Sequence, residues 1–145
     1  MNDILTAATR YREALDTVAA KGVHQRLAGF PRGCCKAAAI LLARHLAESG
    51  LGKSISLVLG TRQDSKTRVA THAWLRIDGL IVDITADQFN DVTERVIVSS
   101  CNPWHDQFVT HQSDYPSFWP NADRARGDYS SMYNHLLESL NEAQQ

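Results

Sequence analysis

Thr71-His72-Ala73-Trp74-Leu75-Arg76-Ile77-Asp78-Gly79-Leu80-Ile81-Val82-Asp83-Ile84-Thr85 reads as two strands joined by the two-residue turn Asp78-Gly79. An Asp-Gly pair between apolar runs suits a type I′ turn, which needs positive φ at both central residues. That turn sets Ile77 opposite Leu80 and fixes the register. The cross-strand pairs are then Leu75 with Val82, Trp74 with Asp83, and His72 with Thr85.

Side chains alternate between the two faces of a strand. One face of this hairpin carries Ala73, Leu75, Ile77, Leu80, Val82 and Ile84, and is predicted to be core. The other carries His72, Trp74, Arg76, Ile81, Asp83 and Thr85, mostly polar or amphipathic. His72 and Asp83 become diagonal neighbours, about 7–8 Å apart at the backbone and closer at the side chains. A carboxylate at that distance can orient an imidazole and favour its charged form. A histidine oriented by an aspartate is half of a nucleophilic triad.

The other half has a candidate upstream. Cys34 and Cys35 stand behind Pro31 and Gly33 and open a run rich in alanine and leucine that closes on Gly50. Such a run is predicted to be a helix, so both thiols fall in its first turn. There the unpaired N–H groups and the helix dipole stabilise a thiolate and can stabilise an oxyanion. Cys35, Ala39, Leu42 and Leu46 form a more apolar stripe than Cys34, Ala38, Leu41 and His45, so Cys35 is expected to face the sheet. The plainer role for both is that of small buried hydrophobes.

Around these elements, residues 2–20 repeat Leu5, Ala8, Tyr11, Leu15 and Val18 at helical spacing, and Gly22 is a stop. Residues 23–33 form a glycine- and proline-bearing loop in which Gln25 and Arg32 are candidate oxyanion donors. Residues 55–59 are a short strand ended by Gly60, residues 61–68 an exposed loop, and residues 95–99 a further strand. Residues 101–127, with Trp104, Tyr115, Phe118 and Trp119, read as a long irregular stretch of the kind that forms lids and binding loops. Residues 129–140 are the last helix. The expectation is one α+β domain over residues 1–145, with helices packed on a mainly antiparallel sheet of about four strands.

The 145 residues suffice for a single core, and 43% hydrophobic with 21% charged content is ordinary for a globular chain. A formal net charge of -1 with no long basic run argues against nucleic acid as partner. No segment resembles a signal peptide or approaches a membrane span, so a cytoplasmic location and no membrane partner are expected. Export without a classical signal would look the same in the sequence. Three cysteines, two of them adjacent, fit free thiols rather than disulfides.

A cysteine at a helix start, then a histidine on a strand, then an aspartate on the next, resembles the transglutaminase-like branch of the papain-like cysteine enzymes. The residues carrying the resemblance are Gly33-x-Cys35, a helix closing on Gly50, His72-Ala73-Trp74 and Asp83-Ile84-Thr85, within residues 31–88. Ala37 stands where many members of that family carry an acid. The resemblance implies a papain-like fold and cofactor-free acyl chemistry on amides or thioesters. Cys35 would be the nucleophile, His72 the base and Asp83 its orienter, with Trp74, Cys34 and Trp104 on the substrate side. The substrate would be a protein, a peptide or a small amide. The acyl acceptor would be water in a peptidase, amidase or deamidase, and an amine in a transglutaminase. Two rivals stand beside this reading. One is a zinc site from Cys34, Cys35, Cys101, His105 and His111, which lacks any paired Cys-x-x-Cys spacing. The other is a non-catalytic binding module that keeps the fold.

Overall fold

The computed structural model describes residues 2–144. Three helices, α1 (Asn2–Ala20), α2 (Cys35–Glu48) and α3 (Asp123–Ala143), pack together on one face of a five-stranded sheet. The strands are β1 (Ile55–Gln63), β2 (Val69–Ile77), β3 (Leu80–Asp83), β4 (Ile97–Ser99) and β5 (Val109–Asp114), in the order β4-β3-β2-β1-β5. All four strand pairs are antiparallel. The expected α+β class holds, with five strands rather than about four.

The extra strand is β5, inside the stretch expected to be irregular. All six of its residues are exposed, so Val-Thr-His-Gln-Ser-Asp carries no apolar alternation to betray it. It is an edge strand held by β1 alone, with Gly60 opposite Thr110 and Leu59 opposite His111. To reach that far, β1 runs through Gly60 to Gln63 instead of stopping at Leu59. Gly60 is needed there. A Cβ at that position would lie 2.9 Å from Phe108 Cβ and 3.0 Å from the Trp74 ring.

The turn between β2 and β3 is as read, with φ of 49° at Asp78 and 85° at Gly79. Leu75 pairs with Val82 and Ile77 with Leu80. The ladder ends there, short of the Trp74–Asp83 and His72–Thr85 pairs. Asp83 itself ends β3, because its Oδ1 accepts the Thr85 N–H at 3.0 Å and turns the chain away from the strand.

Ala73, Leu75, Ile77, Val82 and Ile84 join the main core under the helices, with Leu80 at its margin. In α1, Ile4 is buried where Leu5 was expected, and Leu5 is exposed. The opposite face of the hairpin is not a solvated surface. Val58, Trp74, Ile81 and Phe108 form a second small cluster, with Phe89 and Trp104 packed against it. His72, Asp83 and Thr85 are sealed beneath it at 2%, 1% and 1% exposure.

Candidate functional site

Cys35 is the first residue of α2, and Gly33, at φ 69°, gives the loop the left-handed turn that delivers it there. Cys34, at the N-cap, makes no side-chain cap, so no capping side chain takes up the first-turn N–H groups. α2 crosses β2 and β1 and sets the Cys35 thiol against His72 and the Ala73 backbone N–H.

The imidazole is fixed from both sides. His72 Nε2 lies 2.7 Å from Asp83 Oδ2, and Gln88 Nε2 lies 3.0 Å from His72 Nδ1. The Gln88 Oε1 already accepts the Gly33 N–H at 3.2 Å. The amide nitrogen is therefore the end offered to His72, and in the neutral ring the proton sits on Nε2, towards Asp83. Aromatic rings enclose the imidazole. Trp74, Phe89 and Trp104 have centroids 5.5, 5.1 and 5.6 Å away, the last two edge-on.

Asp83 has a second histidine. His105 Nε2 also lies 2.7 Å from Asp83 Oδ2, while Asp83 Oδ1 takes the Thr85 N–H. The carboxylate thus accepts three donors in a buried pocket. His105 Nδ1 is buried with no partner among the described residues. Nε2–H is therefore the end of the ring that donates to Asp83.

The electrostatics follow from these contacts. Burial alone would raise Asp83, but the charge on His72 and the donors from His105, His72 and Thr85 hold its carboxyl well below the usual carboxylate range. Burial alone would lower His72, but Asp83 and then Cys35 raise it to about 9. Burial alone would raise Cys35, yet His72, the Ala73 N–H and Gln88 outweigh it and lower the thiol. Both shifts act towards a thiolate–imidazolium pair.

Cavities flank the thiol on two sides. One, of about 510 Å³, has Leu59, Gly60, Ala73 and Val109 on its walls, where the sheet extends past α2 towards β5. The other, a groove of about 910 Å³, runs along Arg32, Gly33, Arg68, Gln88 and Asn90.

Of the residues singled out in the sequence, Cys35, His72 and Asp83 converge. Cys34 turns away. Its thiol donates to the carbonyls of Arg32 at 3.3 Å and Ala28 at 3.7 Å, and burial pushes its pKa up. Trp74 and Trp104 support His72 from behind instead of lining either cavity. Arg32 reaches the groove, whereas Gln25 lies in a separate cavity beside His24. Gln88 and the role of His105 escaped the sequence reading. Gln88 lies only five residues after Asp83, and that proximity was a usable signal. His105 had none, since it lies in an irregular segment.

The cysteines and histidines weighed as a zinc site do not gather. Among the described residues the one metal-like cluster is His72, Asp83 and His105. Its two 2.7 Å contacts to a single oxygen are hydrogen bonds. A zinc ion bound at about 2.0 Å to each ligand would spread those atoms beyond 3 Å. Among the described residues no helix is long and apolar enough to cross a membrane.

No family model, no curated protein and no solved structure matches the chain.

Proposed function

We propose that the protein is a cysteine-dependent acyl enzyme of the transglutaminase-like, papain-like kind, acting on an amide bond through Cys35, His72 and Asp83. One observation carries this reading. A thiol at a helix N-terminus, lowered by His72, meets an imidazole whose far nitrogen is 2.7 Å from a buried carboxylate. A purely structural cysteine and histidine have no need of that alignment.

In the proposed cycle the Cys35 proton passes to His72 Nδ1, giving the ion pair. The Gln88 Nε2–H, which bonds Nδ1 in the neutral ring, then donates to the thiolate. The sulfur attacks the amide carbonyl, forming the C–S bond and placing the electron pair on oxygen. The Cys35 backbone N–H and the Gln88 amide are the donors for that oxyanion. Collapse breaks the C–N bond, and His72 hands its proton to the departing amine. A water molecule, deprotonated by His72, resolves the thioester and restores the thiol. Throughout, Asp83 keeps the proton on Nε2 and balances the imidazolium charge.

The exposed Cys101 is an internal reference for the test. At pH 7, iodoacetamide should alkylate Cys35 at least about tenfold faster than Cys101, because only the thiolate reacts. The excess should vanish in His72→Ala. With p-nitrophenyl acetate, Cys35 should gain an acetyl group that mass spectrometry detects, and Cys35→Ser should not. Equal alkylation of Cys35 and Cys101 would remove the nucleophile, and the reading with it.

A further inference from the structure

The chain has a net charge of -1, yet the groove on one side of Cys35 is basic. Arg32, Lys36, Arg62 and Arg68 line it against two carboxylates, Asp64 and Asp91. Those carboxylates are already engaged. Arg62 Nε donates to Asp64 at 2.8 Å, Arg62 Nη1 lies 3.7 Å from Asp91, and the Trp104 indole N–H donates to Asp91 at 3.0 Å. Arg62 is also stacked over Phe89, Trp104 and Phe108 at 5.1–5.2 Å from their centroids. It is therefore part of the structure. Arg32, Lys36 and Arg68 are exposed and have no carboxylate partner among the described residues. Arg32 and Arg68 thus line only this groove, Lys36 stands where it meets the neighbouring cavity, and that cavity adds Leu59, Ala73 and Val109.

We propose that the site selects an acidic peptide segment, with carboxylates held by Arg32 and Arg68 on one side of the scissile amide, an apolar residue in the neighbouring cavity, and Lys36 placed between the two to take a further carboxylate. This rests on the acyl-enzyme reading and adds a substrate class to it. A continuous phosphate backbone fits less well, because Asp64 and Asp91 stand in the same groove and both are exposed. Separate carboxylates can be seated between them. Fixed positive charge in a cleft raises the local concentration of anions and the rate at which they arrive, and salt screens the effect.

The test compares anionic iodoacetate with neutral iodoacetamide at Cys35. The ratio of their rates is normalised to the same ratio for glutathione. At an ionic strength of about 20 mM the normalised ratio should be about tenfold in favour of iodoacetate, and should fall towards one at about 0.5 M salt. In Arg32→Ala/Lys36→Ala/Arg68→Ala, with its fold checked by circular dichroism, it should drop at low salt to the level wild type keeps at about 0.5 M salt, the remainder belonging to the His72 imidazolium. A glutamate-rich decapeptide should slow iodoacetamide labelling of Cys35, and a thymidine oligonucleotide of equal charge should not. A ratio that survives the triple substitution, or protection by the oligonucleotide alone, overturns the proposal. It would do so while leaving a reactive Cys35, and the acyl-enzyme reading, in place. An unreactive Cys35 removes both.

Discussion

Asp83 Oδ2 is a single atom serving two imidazoles, His72 and His105, each at 2.7 Å. His105 touches neither the thiol nor the cavities beside it, so it acts through Asp83 as a positioning residue. Its Nε2–H adds a charge-assisted bond to the carboxylate. Without that donor, Asp83 should rise, His72 should fall, and the Cys35 thiolate should lose stabilisation. In His105→Phe the acid limb of Cys35 alkylation by iodoacetamide should shift up by about one pH unit, since a bond to a charged group is worth about 1.5–3 kcal/mol. His105→Gln offers an N–H at nearly the same reach and should recover most of the shift. If both variants kept the wild-type profile, His105 would be packing and nothing more.

At the scale of elements, the site depends on a brace that runs from α1 to the chain after β3. Arg12 is 4% exposed, on a helix whose other inward residues are apolar or aromatic. Its guanidinium donates to the Ile84 carbonyl at 2.8 Å, to both Asp87 oxygens at 2.8 and 2.9 Å, and to the Arg95 carbonyl at 3.2 Å. The turn carrying Asp83, Thr85 and Gln88 is thereby tied to the first helix. Arg12→Ala would leave the Ile84 carbonyl and Asp87 without their donor. Removing one partner of a buried pair costs about 3–5 kcal/mol. The urea midpoint of Arg12→Ala should fall by an amount equivalent to at least about 3 kcal/mol, and Cys35 alkylation should slow because Gln88 loses its place. A loss below about 1 kcal/mol, the size of a surface pair, would show that the brace is slack. Sequence periodicity gave no hint of this residue, because an arginine at position 12 reads as part of the polar face of α1. The hairpin was legible for the opposite reason. The Asp78-Gly79 turn and strict apolar alternation fix register and core face together and bring His72 and Asp83 into view as a pair, while Cys35 was legible from the helix start behind Pro31 and Gly33. β5, His105, Gln88 and the scattered cations at 32, 36 and 68 depend on long-range packing that leaves no local pattern.

For the whole molecule, the sheet is buried on both sides over β2 and β3. Beneath the smaller aromatic layer lies an ion pair rather than hydrocarbon. A buried carboxylate and imidazolium link folding to pH in opposite directions. Asp83 is depressed in the folded state. Its contribution is present above the unfolded value of about 3.9 and is lost as pH falls through the folded one. His72 is raised to about 9. Its contribution is complete below the unfolded value of about 6.5 and is lost as pH rises through about 9. The pair therefore stabilises most between about pH 4 and 6.5 and weakens on either side. His24 and His45, whose pKa values are lowered mainly by burial, work the other way and add stability as pH rises. The difference between two proteins isolates the pair better than either curve does. The urea midpoint should be measured from pH 3 to pH 10, under reducing conditions, with and without Asp83→Asn. The gap between the two should be widest between about pH 4 and 6.5, equivalent to about 3 kcal/mol or more. It should narrow towards both acid and alkali. A gap that widened steadily from pH 6.5 to 9 would mean that His72 is not held as the imidazolium, and the charge pairing assigned to the interior would be wrong.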